Sequence, residues 1–508
     1  MTSRNSGRSG GVSREMTFRI HTLARVLSLG AFVLACGGGG PASPGGPDGS
    51  GGPDGGNQPT GDLAIVWDGR TVDWGAPEVL RAEVDGEPAV VEWRSLGDQY
   101  LGQPVQLGRG IETTTAPLRH GTTTIEARIL LGPQAGLSAT VQVSVRYRES
   151  WNMALEGAVT YPTETVGDVW VTEGDLALVA RRTAGGISVV DLASMQEIGR
   201  FTAPGLFTQD VKAAGDLVFV SHEGPDYPDA VTILDLEDPA RPRTVARISR
   251  SETPTAHNLW IDGTTLYVAA PYGTQAIHAW DVSDPADPSP LGTIHSTDGS
   301  AHDIHVRDGR VFGSFLPIGG NIGELVIAGA APGLARNSLT TYPGAFTHSS
   351  WLAADGRHLF VADEVVNAPI RIYDVSNPSA PVLVGRYQPR LGTIPHNFQV
   401  RDARTAYLAH YKHGVEVVDV SDPAAPRLVG FFDTKPGVDA DVAPGPSGLS
   451  IASAVALTRD LCERHCLASA RAMASIFAGA WGVHWTDDGR IVVSDMNRGL
   501  FVFRYTGP

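Results

Sequence analysis

Between residues 151 and 508 the chain repeats one phrase of short strands at a near-constant interval, and that repetition limits its fold more than any other feature. The units begin at Gly167-Asp168-Val169-Trp170, Gln209-Asp210-Val211, His257-Asn258-Leu259-Trp260, His302-Asp303-Ile304-His305, His348-Ser349-Ser350-Trp351, His396-Asn397-Phe398-Gln399 and Trp481-Gly482-Val483-His484. Each start runs through a turn into a second strand (LALVA, LVFVS, LYVAA, RVFGSF, HLFVADE, TAYLAH, RIVVSD). A third strand then ends in an Asp-rich turn, as in VTILDLEDP, IHAWDVSDP, IRIYDVSNP and VEVVDVSDP, and a fourth follows the proline. The 60 Gly and 35 Pro punctuate the chain at short intervals, which favours strands and turns over long helices.

Four strands per unit make one blade of a β-propeller. With the non-repetitive stretch 434–477 set aside, the units average about 45 residues, within the ~40–45 expected of a blade. The expected fold is all-β: a seven-bladed propeller over 151–508, interrupted by the insertion at 434–477. The last unit lacks a fourth strand, and residues 154–161 (ALEGAVTY) can supply it, joining the two ends of the repeat region in one blade and removing free sheet edges.

The segments THSSWLAADGRHLFVADE (347–364), PHNFQVRDARTAYLAHYKHGVEVVDVSDPAAPRLVGFFDT (395–434) and GAWGVHWTDDGRIVVSDMNRGLFVF (479–503) resemble bacterial LVIVD-repeat proteins, including those of the choice-of-anchor B type. That resemblance covers about residues 155–508 and implies a propeller exported to the cell envelope, without a settled biochemical activity. Unit four lacks an Asp-Pro turn after GELVIAG, and unit one carries DLASMQ, so those blades depart from the pattern.

The N-terminal residues read as an address. Arg19 and Arg25 precede the apolar run Val26–Ala35, too short to span a bilayer but suited to a signal peptide over residues 1–35, with Met1 or Met16 as the start. Val33-Leu34-Ala35-Cys36 resembles a lipobox, which implies lipidation of Cys36, and Gly37 after it points to the outer membrane. Residues 36–61 are almost all Gly, Pro, Ser and Asp and cannot bury enough apolar surface to order themselves, so they read as a flexible tether. Residues 62–148 alternate apolar and polar positions around Leu80, Ala82 and Val84, then Ile125, Ala127 and Ile129, then Val141, Val143 and Val145, with Trp93 as a central plug. Their order resembles bacterial immunoglobulin-like β-sandwiches. Residues 1–35 carry +4 of a net charge of −16, leaving −20 on the rest, and with no basic stripe this excludes nucleic acid as a partner.

The candidate site is a column of histidines. His257, His302, His348 and His396 open the innermost strand of four consecutive units, 45, 46 and 48 residues apart, so all four are expected at the mouth of the central channel. The second strand returns to that face, which adds His222, Glu223, Asp363, Glu364, His410, His413 and Asp495 as a possible outer shell. Imidazoles with nearby carboxylates suit one transition metal, Cu, Fe or Zn. Inheritance of one structural histidine by duplication, or a general ligand-binding role, is the reading placed ahead of a metal for the column. Trp170, Trp260 and Trp351 are expected to pack between blades. Cys462 and Cys466 flank His465 in the one helix-like stretch, where regular i, i+4 geometry leaves Cβ atoms ~5–6 Å apart, so a disulfide needs a distorted turn. A disulfide or inert thiols is the expectation there. No GxxxxGK(S/T) or HExxH motif occurs. The resulting reading is a membrane-tethered binding or scaffolding module for an unidentified protein or small ligand, attached through its lipid only. A metal-dependent oxidoreductase at the histidine column is the alternative.

Overall fold

In the computed structural model the described residues are 63–508 except 86–89, 133, 204–206, 225–226, 319–320 and 436–477. The signal, Cys36, the tether and the Cys462–Cys466 segment lie outside them. Every regular element among the described residues is a β-strand.

The repeat region forms a series of sheets, numbered I–VII in chain order. Sheet I runs from Val166–Val171 to Gln196–Phe201, II from Val211–Ala214 to Arg243–Ser249, and III from Leu259–Asp262 to Ser289–Ile294. Sheet IV runs from Gly299–Arg307 to Arg336–Thr340, V from Thr347–Leu352 to Val382–Tyr387, and VI from Phe398–Val400 to Arg427–Phe432. Each is an antiparallel meander of four strands, and sheet VI gains Ser150–Trp151 at its outer edge. Sheet VII holds Ala480–Trp485, Arg490–Asp495 and Gly499–Tyr505, and its fourth strand is Met153–Val159, which pairs with Gly499–Tyr505. The strand expected to complete the last unit is thus found where the sequence reading put it.

The first strand of each sheet touches that of the next, and the first strand of VII touches that of I. Apolar side chains of the second and third strands fill the spaces between sheets, as where Leu178, Ala180 and Val189 meet Val218, Val220 and Leu234. The Asp-rich turns have a local cause. Asp235, Asp281, Asp374 and Asp419 accept backbone N–H bonds two residues on at 2.8–3.0 Å, so the carboxylate mimics a turn carbonyl and closes the third strand.

Residues 63–146 form a three-stranded and a five-stranded sheet sharing one core. Leu80 and Ala82 from the first face Trp93, Ile125, Ala127 and Val143 from the second, all within 1% of complete burial. That core is continuous with sheets V and VI through Tyr387, Leu391 and Phe431. Trp74 stands at the junction, 1% exposed, with the Arg390 guanidinium 4.3 Å above its ring and Phe431 edge-on at 5.3 Å. Asn367 donates to Gln99 O at 3.0 Å, and Tyr147 donates to Asp433 at 2.8 Å. The N-terminal sheets are therefore fixed against the repeat region, directly on sheets V and VI.

Candidate functional site

The site is built by a backbone irregularity that most of the repeat sheets share. Pairing between the first and second strands skips a residue between Ala301 and Asp303 in sheet IV, between Thr347 and Ser349 in V, and between Ala480 and Gly482 in VII. In sheets III and VI one residue serves two. Ala269 O accepts from His257 N and Ala269 N donates to Asn258 O, both at 2.9 Å; Ala409 does the same for His396 and Asn397 at 3.0 Å. A β-bulge of this kind sets two residues against one and turns the extra side chain toward the face of its neighbour. Consecutive residues, which a regular strand would send to opposite faces, therefore point into one cavity. It is lined by Asp168, Gln209-Asp210, His257-Asn258, His302-Asp303, His348, His396-Asn397 and Trp481, and at about 10 Å³ it has room for one water or one ion. Gly482 fills the second place in sheet VII because a Cβ there would collide with the Asp168 carboxylate.

The four histidines form a continuous arc. Ring centroids are 4.0 Å apart for His257–His302, 4.4 Å for His302–His348 and 4.2 Å for His348–His396, and the arc ends on Trp481, 4.4 Å from His396. His257 and His302 are half-buried, whereas His348 and His396 are 2% exposed. His396 Nδ1 lies 2.7 Å from Trp481 O and His302 Nδ1 lies 3.4 Å from His348 O. A carbonyl only accepts, so each Nδ1 carries the proton and each Nε2 keeps its lone pair. Burial pushes His396 down to about 3, and holds His302 and His348 well below the usual histidine range with help from neighbouring imidazoles.

His257 differs. Burial opposes its charge, but Glu223 lies 3.1 Å from Nδ1 and raises it above the ordinary value. The Glu223 carboxyl, though buried, is held low by His257 and by a hydrogen bond from Gln209. Gln209 is itself fixed by Arg182 at 2.9 Å. At the other end Glu364 lies 3.9 Å from His348 Nε2, accepts the Tyr411 hydroxyl, and is pushed up to about 7 by burial.

Two residues further along each first strand a second layer faces the axis. Trp170, Trp260 and Trp351 meet edge-to-face at 6.2 and 5.3 Å. They pack against one another around the axis, a correction to the expectation of packing between blades. His305 sits between Trp260 and Trp351 at 4.5 and 4.4 Å. Lys212 bridges Asp168, at 3.2 Å, and Asp210, with Trp170 alongside at 5.2 Å.

Of the expected outer shell, Glu223 and Glu364 reach the imidazoles and the others do not. His222 bonds Thr232 at 2.9 Å and lies tilted against Tyr227 at 4.3 Å. Asp363 pairs with Arg371 and accepts from Tyr342 and from Phe346 N, both at 2.9 Å. His410 faces Arg390 at 3.1 Å, and His413 packs edge-on against Trp74 at 5.5 Å. Asp495 accepts from Thr434 at 2.6 Å and from two backbone N–H groups of its own turn. At the end of the second strand the side chains are taken by the adjoining loops, which the repeat register does not reveal. Gln209, Asp210, Asn258, Asp303, Asn397, Trp481 and Tyr411 were not anticipated as site residues. The recurring polar second place (Asp168, Asp210, Asn258, Asp303, Ser349, Asn397) was the available signal.

The LVIVD repeat family model matches residues 348–389 and 406–434, which take in sheet V with His348 and Glu364 and most of sheet VI. Four-stranded sheets whose first strands touch in a closed succession, two of them matched by this repeat, define a β-propeller repeat protein. Among solved structures the chain is similar to the β-propeller domain of Cps50 (Swd1) from Myceliophteria thermophila, at 12% identity and a TM-score of 0.47, covering 69% of this chain and 98% of that one. No curated protein matches the chain.

Proposed function

We propose that this protein is a cell-envelope binding module. In this reading a seven-bladed propeller over 151–508 carries an immunoglobulin-like sandwich over 62–148. Residues 1–35 direct export, and lipid on Cys36 with the 36–61 tether holds the chain to the outer membrane. The face where the first strands begin receives an unidentified protein or small ligand. The unbroken contact of first strands from sheet I through VII and back to I supports the ring. One observation carries the binding function: an arc of four imidazoles, three of them kept neutral, stands at the rim of a polar cavity with ring nitrogens that the protein itself leaves unpaired. Buried polar atoms are nearly always satisfied, so orphaned ones at a rim mark a ligand position. The oxidoreductase alternative gains no support from the comparisons.

A photo-crosslinking residue placed at Gln275 or Asp298 on the strand-start face, and at Val384 on an outer strand as control, tests the surface in intact cells. Adducts from the first two positions alone are expected. Equal yields from all three, or none, would overturn the assignment of that face. Anchoring is tested by Cys36→Ser, which should move the protein from the detergent-extracted to the soluble fraction; retention in the membrane would contradict it.

A further inference from the structure

We propose that His348, Glu364 and His396 form a site for a single borderline transition-metal ion of the Zn, Cu or Co type, which deepens the binding-module reading by naming the ligand class of its rim. One ligand atom from each of the three lies within 4.8 Å of the others, and all three residues are buried. His348 Nε2 to Glu364 Oε2 is 3.9 Å, too long for a hydrogen bond and only about half an ångström wider than the ~3.3–3.4 Å between two ligand atoms of a tetrahedral ion. Shifts below about 1 Å would bring the three to the ~2.0–2.2 Å of metal–nitrogen and metal–oxygen bonds.

Three further observations point to an ion rather than to packing. His396 Nε2 is buried without a hydrogen-bond partner among the described residues. The outer contacts are those that orient metal ligands. Trp481 O takes the Nδ1 proton of His396 at 2.7 Å and so aims the Nε2 lone pair, while the Tyr411 hydroxyl holds one oxygen of Glu364 and leaves the other toward His348. The adjoining cavity, lined by both histidines, has the volume of a single ion or water. The set also departs from the four-histidine column: His257 is engaged by Glu223, and the carboxylate takes a ligand position.

The test uses the full chain, stripped with chelator and titrated with Co²⁺ and Zn²⁺, with visible absorption and calorimetry as readouts. One equivalent should bind, with cobalt d–d bands of a nitrogen/oxygen site. His396→Gln and Glu364→Gln should each weaken binding by more than about 100-fold, Tyr411→Phe by about 10-fold, and His257→Gln by less than about 3-fold. Circular dichroism and melting of each metal-free variant confirm folding, and His396→Ala serves if the Gln variant does not fold. Absence of binding by folded protein, or binding unchanged in Glu364→Gln and His396→Gln, overturns the site. Loss in His257→Gln equal to that in His396→Gln overturns this ligand set in favour of the whole column. Crosslinking from the strand-start face with no metal bound would leave the binding-module reading standing and remove this one.

Discussion

The two halves of the cavity rim share one backbone device and differ in how their polar groups are settled. On the side of sheets I and II, Lys212 bridges Asp168 and Asp210, Asp210 also accepts Leu259 N at 2.7 Å, and Arg182 and Glu223 hold Gln209. On the side of sheets V and VI, His396 Nε2 is buried without a hydrogen-bond partner, and His348 Nε2 stands 3.9 Å from Glu364, too far for a hydrogen bond. A buried network that satisfies itself is an internal strut, whereas one left incomplete beside a cavity waits for a partner. The difference assigns structure to one half and binding to the other, and substitutions can break or sharpen that division.

The largest effect is expected on the closed half. Lys212→Met leaves two buried carboxylates facing each other without a cation, and a buried ion pair broken on one side costs about 3–5 kcal/mol. Urea unfolding at pH 7 should show it. A loss under about 1 kcal/mol would mean that the bridge is not the strut described here. Next comes the layer below. His305 is buried among Trp260, Trp351 and Phe312, with burial and Arg307 pushing it down to about 3. A histidine depressed in the fold adds stability that is fully present above its unfolded value near 6.5 and lost as pH falls toward 3. Between pH 7 and pH 5 the wild type should lose about 2 kcal/mol through this group, and His305→Phe should remove that part of the slope. Equal slopes in both proteins would show that His305 titrates normally. The smallest effect is expected on the open half. His302 is half-buried and its one hydrogen bond is long, 3.4 Å, so His302→Gln should change metal-free stability by less than about 1 kcal/mol.

Much of this architecture was legible in the sequence. The 45–48 residue spacing put four histidines on one side of successive strands, and the missing last strand pointed to residues 154–161, where the structure has Met153–Val159. The bulge was not legible, because one extra residue in a strand start leaves no mark in an alternating pattern. Without it Asp303 and Asn397 read as facing away from the histidines they accompany. Glu364 could not be separated from Asp363, since which of two adjacent carboxylates turns to the axis depends on Arg371 of the third strand and Tyr342 of the preceding loop, which capture Asp363. Nor could Trp74 announce its seat on Arg390 and Phe431, more than 300 residues away in the chain. Long-range capture of this kind has no periodic signature.

Diffraction from crystals soaked in zinc, recorded on either side of the zinc absorption edge, tests the division of the rim most directly. One anomalous peak bounded by His348, Glu364 and His396, and none beside Asp168 and Asp210, is the predicted result. A peak on the Lys212 side, or an empty rim at saturating zinc, would contradict it.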